Sequence, residues 1–437
     1  MTQTEQSSHK IGWIKLAPDI RPRHGWVFLS AAFFSIGLMT FVAIGQAYVL
    51  NEHLKIPTSQ QGSVSGDLVF WTEIIALLCF IPAGILIDRV GRRVIYMLGF
   101  FLLAAAYTLY PLATSVADLF LIRTVYALGI VAVAGALSTV LVDYPAEPSR
   151  GKLVAIVGFL NGLGIVVINQ FFGALPEMLT KAGMSGTEAG LYTHLGIATI
   201  AIAVGIMVGF GLKRGTPIQH TERPTVRALF LSGFANGKNP RILISYGAAF
   251  IARGDQSVNA TFLVLWGSTA GVAAGMESAE AVKNGTVMFI VAQVSALVWA
   301  PILGPILDRF DRVSGLAACM VLGAIGNLSV ILLADPLANY ALIFYILLGI
   351  GQISVFLSAQ SLIGQEAPDR TRGATIGAFN VSGAVGILIV TWLGGRMFDA
   401  IDPRAPFVLV GCINILLFFA SLYVRLRARP SPSIAVA

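Results

Sequence analysis

The sequence predicts an all-α membrane protein of twelve transmembrane helices in two pseudo-symmetric six-helix bundles. Three observations lead there. Of 437 residues, 56% are hydrophobic and only 12% charged, about half the charged fraction of a soluble domain. The chain divides into about twelve apolar runs, each near the ~20 residues that cross a bilayer as a helix. A basic turn, Gly84-Ile-Leu-Ile-Asp88-Arg89-Val-Gly91-Arg92-Arg93, returns about 220 residues later as Gly304-Pro-Ile-Leu-Asp308-Arg309-Phe-Asp311-Arg312, which indicates an internal repeat.

Residues 1–25 are polar, carry Pro18 and Pro22, and lack the apolar core and cleavage site of a signal peptide. They are expected to form a cytoplasmic tail. Apolar runs follow near 26–50, 64–87, 94–114, 117–142, 152–176 and 190–212, the first bundle being 26–212. The polar segment 213–240, with Lys213, Arg214, Arg223, Arg227 and Lys238, reads as a cytoplasmic linker. Runs near 241–266, 285–306, 313–334, 337–363, 373–398 and 405–424 make the second bundle, 241–424, and 425–437 is a second cytoplasmic tail.

Charge placement supports that orientation. With both termini inside, the external loops hold Lys55, Lys181, Lys283, Arg396 and Arg404, and cytoplasmic segments hold about 22 of the 29 Lys and Arg residues, as the positive-inside rule requires. The net charge of +7 lies in short segments between apolar runs, so it is a topology signal and no nucleic-acid partner is expected. Cys79, Cys319 and Cys412 all lie inside apolar runs, so neither a disulfide framework nor a metal site is implied. There is no phosphate-binding loop, metal-ligand cluster or nucleophile elbow; the expectation is no enzyme and no cofactor.

The repeat has a second marker. Arg150-Gly151 opens the fifth span and Arg372-Gly373 the eleventh, each after a loop containing proline and an acid, Glu147 in one and Glu366 in the other. On these residues the chain resembles the major facilitator superfamily of secondary transporters over nearly its whole length. The second copy departs from the first, with Asp311 where the first has Gly91. The resemblance implies two six-helix bundles around a central cavity that opens alternately to either side.

It also implies a gate. Asp88, at the end of the second span, would face the start of the eleventh near Gly373, where helix-end N–H groups favour an anion. Gly84 would let backbones approach closely. Arg92 would pair with Asp143 or Glu147. By symmetry Asp308 would face Gly151, with Glu366 the partner of Arg309 or Arg312.

Charges without a symmetry mate point to cargo and coupling. An ionisable group inside a span costs at least ~2.5 kcal/mol, so it carries a partner or a function. Four stand out: Glu73, Arg123, Arg253 and Asp255. The repeat offset places Val294, Phe344, Ala32 and Phe34 opposite them, so the fold does not require these charges. Glu73 and Asp255 each lie about 14 residues, or ~21 Å, from the cytoplasmic end of their spans. The second and seventh spans are neighbours in the family, which implies a Glu73–Arg253 pair. Asp255, Asn259, Phe262 and Trp266 share one helix face, expected to line the cavity. Arg123 shares a face with Tyr126; the resemblance ties an arginine of the fourth span to proton coupling, and snorkelling to the outer interface is the alternative. Gln46, Asn161, Gln293, Gln352 and Asn380 are further cavity candidates.

The expected function is secondary active transport of a small organic solute, with an anion or zwitterion favoured by Arg123 and Arg253. Proton coupling through Glu73 or Asp255 is expected, in a monomer in the plasma membrane (the inner membrane of a bacterium). An uncoupled facilitator or exchanger, and a non-transporting sensor on the same scaffold, are the alternatives.

Overall fold

Runs of apolar residues interrupted by polar caps fold here as helices with little between them. The computed structural model describes residues 9–215 and 226–427, and for 226–230 and Asp369 the backbone alone. The linker residue Arg223, the Arg227 side chain, and tail residues 1–8 and 428–437 lie outside the described residues.

The described helices are α1 Pro22–Tyr48, α2 Thr58–Val90, α3 Arg92–Leu109, α4 Val116–Asp143, α5 Arg150–Lys181 and α6 Gly186–Gly211 in the first half. A short α7, Val226–Ala235, precedes α8 Pro240–Ala273, α9 Ser278–Leu307, α10 Arg312–Ser329, α11 Leu342–Glu366, α12 Arg372–Ala400 and α13 Ala405–Arg427. Eleven are long and apolar enough to cross a membrane. The twelfth span is α8, 34 residues long, whose middle is diluted by Arg253, Asp255, Gln256 and Asn259.

Local chemistry fixes the helix ends. Ser115 with Asp118, and Ser185 with Glu188, form capping boxes at α4 and α6, each satisfying N–H groups the helix cannot. Asn239 caps α8, with Pro240 at the first helical position. Asp311 caps α10 through the Val313 and Ser314 N–H groups, each at 3.1 Å. Gly91, between α2 and α3, has φ +107°, and a Cβ there would lie 2.9 Å from the Gly215 carbonyl oxygen. Only glycine meets both demands.

The chain packs as two compact units. Among the described residues, the first gathers those of Met1–Lys55, Ile74–Gln219 and Ser278–Lys283, and the second those of Ile56–Glu73, His220–Glu277 and Asn284–Ala437. In the first, α1 packs on α5, and α3 on α4 and α6. In the second, α8 packs on α12, and α10 on α11 and α13. The pairings are the same, shifted by six spans. A Cβ on Gly164 of α5 would lie 1.7 Å from the Phe33 carbonyl oxygen, and one on Gly386 of α12 would lie 1.9 Å from that of Phe250. Each unit thus keeps a glycine at this matched crossing, where two helix backbones touch, as membrane helices do.

Residues assigned to the amino-terminal tail are partly built into the fold. Strands β1 Lys10–Ile11 and β2 Ile14–Lys15 form an antiparallel hairpin. Ile11, Ile14, Leu16 and Ile20 are buried, each apolar side chain contributing about 1.5–3 kcal/mol. The Lys15 N–H donates to Ser149 Oγ at 3.0 Å, Ala146 donates to the Lys15 carbonyl, and Ala17 to that of Tyr144. Lys213 pairs with Asp19 at 3.2 Å. The segment straps the α4–α5 loop.

Candidate functional site

In the first unit, Arg123 on α4 is a buried charge inside a span. It is 3% exposed, so it does not snorkel to an interface. Its Nε donates to Tyr110 Oη at 3.2 Å and its Nη2 to Gln46 Oε1. The Tyr110 and Tyr126 rings lie 5.7 and 5.3 Å from its Cζ, and His194 stacks on Tyr110 at 6.0 Å. Amide and aromatic groups support this guanidinium; among the described residues no carboxylate reaches ion-pair distance of it.

At the repeated turn, Arg92 pairs with Asp143, and Glu147 pairs instead with Arg150 at 2.6 Å. Asp88 is half-buried at the end of α2, with Arg89 exposed and Arg93 half-buried. Nothing among the described residues lies within 4 Å of a Cβ placed on Gly84.

The second copy is wired differently from expectation. Glu366 accepts from Arg241 Nε at 2.6 Å, and Asp311 from Arg241 Nη2 at 2.9 Å. Arg241 is 3% exposed and Glu366 0%. Arg312, expected to reach Glu366, pairs with Asp308 at 2.9 Å. Arg241 was not singled out in the sequence; the available signal was a base directly after the helix-start pair Asn239-Pro240.

Glu73 on α2 is half-buried and Arg253 on α8 exposed. They lie within electrostatic reach of each other, but the expected ion pair is not formed. Arg253 Nη1 donates to Gln256 Oε1 at 3.1 Å.

The stripe expected to line a cavity points into the unit's own core. Asp255, Asn259 and Phe262 are 0% exposed and Trp266 5%. Phe262 stacks on Phe398 at 5.6 Å, and Trp266 lies 5.9 Å from Phe407. Asp255 Oδ1 accepts from Asn259 at 3.0 Å, and Oδ2 from Asn327 at 3.2 Å. Asn259 also donates to Gln352 Oε1 at 3.0 Å. Asn327 and Asn414, both fully buried, went unmarked in the sequence. The available signal was a lone amide inside an otherwise apolar run. Of the other cavity candidates, Asn161 and Gln293 are half-buried and Asn380 exposed.

One further cluster was not anticipated. The Gly62 and Ser63 N–H groups at the start of α2 donate to the two Asp399 oxygens at 2.9 and 2.6 Å. Arg396 pairs with Asp67 at 2.9 Å and lies 4.0 Å over the Trp392 ring.

Comparison with known proteins agrees with this architecture. The chain is 26% identical to the magnetosome protein MamH of Paramagnetospirillum magneticum over 92% of each chain. It is 26% identical to MamZ of the same organism over 92% of this chain and 62% of that one. The solved structure of a bacterial homologue of the human lysosomal transporter Spinster superposes with a TM-score of 0.66, covering 94% of this chain and 100% of that one at 17% identity, which speaks to the fold alone. The model of the Major Facilitator Superfamily matches residues 27–292 and again 245–436. Two matching halves, paired packing in two units and spans of membrane length converge, and the chain belongs to the Major Facilitator Superfamily, a membrane transporter and not an enzyme.

Proposed function

We propose that this protein carries a small organic anion or zwitterion across the plasma membrane by alternating access, coupled to protons, as a monomer with both termini in the cytoplasm. The observation that carries the reading is Arg253. The residue is exposed inside a span, near the Glu73 carboxylate but not joined to it, and so is available to an anionic group. A cargo anion engaging Arg253 removes the charge that favours ionised Glu73, and a proton then takes its place. The Asp88 turn and its Asp308 copy serve as the cytoplasmic gate.

Solute flux in proteoliposomes, with and without an imposed pH gradient, tests the proposal. Uphill accumulation that follows the gradient is expected. Flux indifferent to the gradient makes the protein an uncoupled facilitator or exchanger, and no flux of any solute in a metabolite panel leaves a sensor.

A further inference from the structure

Five polar side chains from four helices are buried in the apolar interior of the second unit, four of them joined by hydrogen bonds. Asp255 and Asn259 come from α8, Asn327 from α10, Gln352 from α11 and Asn414 from α13. Gln352 is 5% exposed and the other four 0%. Both Asp255 oxygens accept hydrogen bonds from amide nitrogens, the role of an ionised carboxylate. Neutral amides bring no positive charge, and among the described residues no guanidinium or ammonium reaches ion-pair distance of Asp255. A carboxylate so far from water either takes up a proton or holds a cation, and the oxygens around Asp255 favour the cation.

The surrounding atoms have capacity to spare. The Oδ1 atoms of Asn259 and Asn327 have no hydrogen-bond partner, and Asn414 has none at either side-chain atom. Asn414 packs on Gly323, whose carbonyl accepts from the Asn327 amide at 3.1 Å. The donor set is one carboxylate with amide and backbone oxygens, without sulfur or imidazole, which suits a hard cation. A single carboxylate balances a single positive charge, and no group of three His, Cys, Asp or Glu side chains fit for a metal ion occurs among the described residues. A divalent ion would therefore leave the interior charged.

We infer that Asp255, Asn259, Asn327, Gln352 and Asn414 form a binding site for a dehydrated monovalent metal cation. A part for this ion in transport, beside the proton, rests on the transport reading above; the binding site itself does not. Sodium is the probe. The full chain, purified in detergent, is unfolded thermally in sodium chloride and in choline chloride at matched ionic strength, and radiolabelled sodium binding is measured alongside. A saturable rise in melting temperature with sodium and not choline is expected. Asp255→Asn should abolish it, and Asn327→Ala or Asn414→Leu should weaken half-saturation at least about tenfold. Asn414→Leu keeps the interior filled, so it reads the site even where Asp255→Asn fails to fold. Equal effects of sodium and choline, or sodium binding unchanged in Asn414→Leu and Asn327→Ala, overturn the site. Sodium binding without solute flux would sink the transport reading and leave the site standing.

Discussion

Arg241 holds two acids at once, and its removal would strand both. Breaking a buried ion pair by deleting one partner costs about 3–5 kcal/mol, so Arg241→Leu should lower the melting temperature well beyond any surface substitution. A shift no larger than that of Arg309→Ala would mean the cluster contributes little. Asp311 adds a pH dependence. Burial alone would raise its pKa, but the hydrogen bonds from Arg241 and Ser314 hold it below the ordinary 3.8. With the folded value depressed, its stabilisation is whole above pH 3.8, and is lost as the pH falls through the folded value. Asp311→Asn should flatten the acid limb of a stability–pH curve; an unchanged limb would exclude the effect. The sequence marked Glu366 and Asp311 but not the base between them. Arg241 and Glu366 are 125 positions apart, and that separation is closed by tertiary packing, which periodicity does not report.

At the scale of helices, the amino end of α2 is the instructive case. Its apolar run begins near 64, yet the helix starts at Thr58. Ser59, Gln60, Gln61, Ser63 and Asp67 hide the opening turns from a reading that counts apolar residues. Those turns are stabilised by Asp399 on the helix-end N–H groups, by Arg396 on Asp67, and by close approach, since a Cβ on Gly395 would lie 2.3 Å from the Gly62 carbonyl oxygen. Asp399→Asn keeps the shape and loses the charge, at about 0.3–1 kcal/mol. Gly395→Leu drives backbones apart and should cost several-fold more. Thermal unfolding of the two variants checks the ranking, and equal losses would argue against tight backbone contact.

For the molecule as a whole, the repeat was the most legible feature. Two copies of one turn announced two halves, and the pairings of α1 with α5 and of α8 with α12 repeat as that symmetry demands. The Asp255 cage was legible only in part, because its remaining members arrive from α10 and α13 as isolated amides in apolar runs. The proposed proton coupling is also a property of the whole cycle. Glu73→Gln should abolish gradient-driven accumulation while cargo-for-cargo exchange continues; accumulation at the wild-type level would remove Glu73 from the proton path. The amino-terminal hairpin carries a different consequence, one of timing. The partners of the segment it opens are the 144–149 loop, through Lys15 and Ala17, and Lys213, through Asp19, all synthesised after it. At ~5–20 residues per second, the roughly 200 residues between the hairpin and Lys213 take about 10–40 s to emerge. The hairpin leaves the ribosome before every one of these partners and is thus among the last parts of its unit to be seated, a clasp that closes on spans already made.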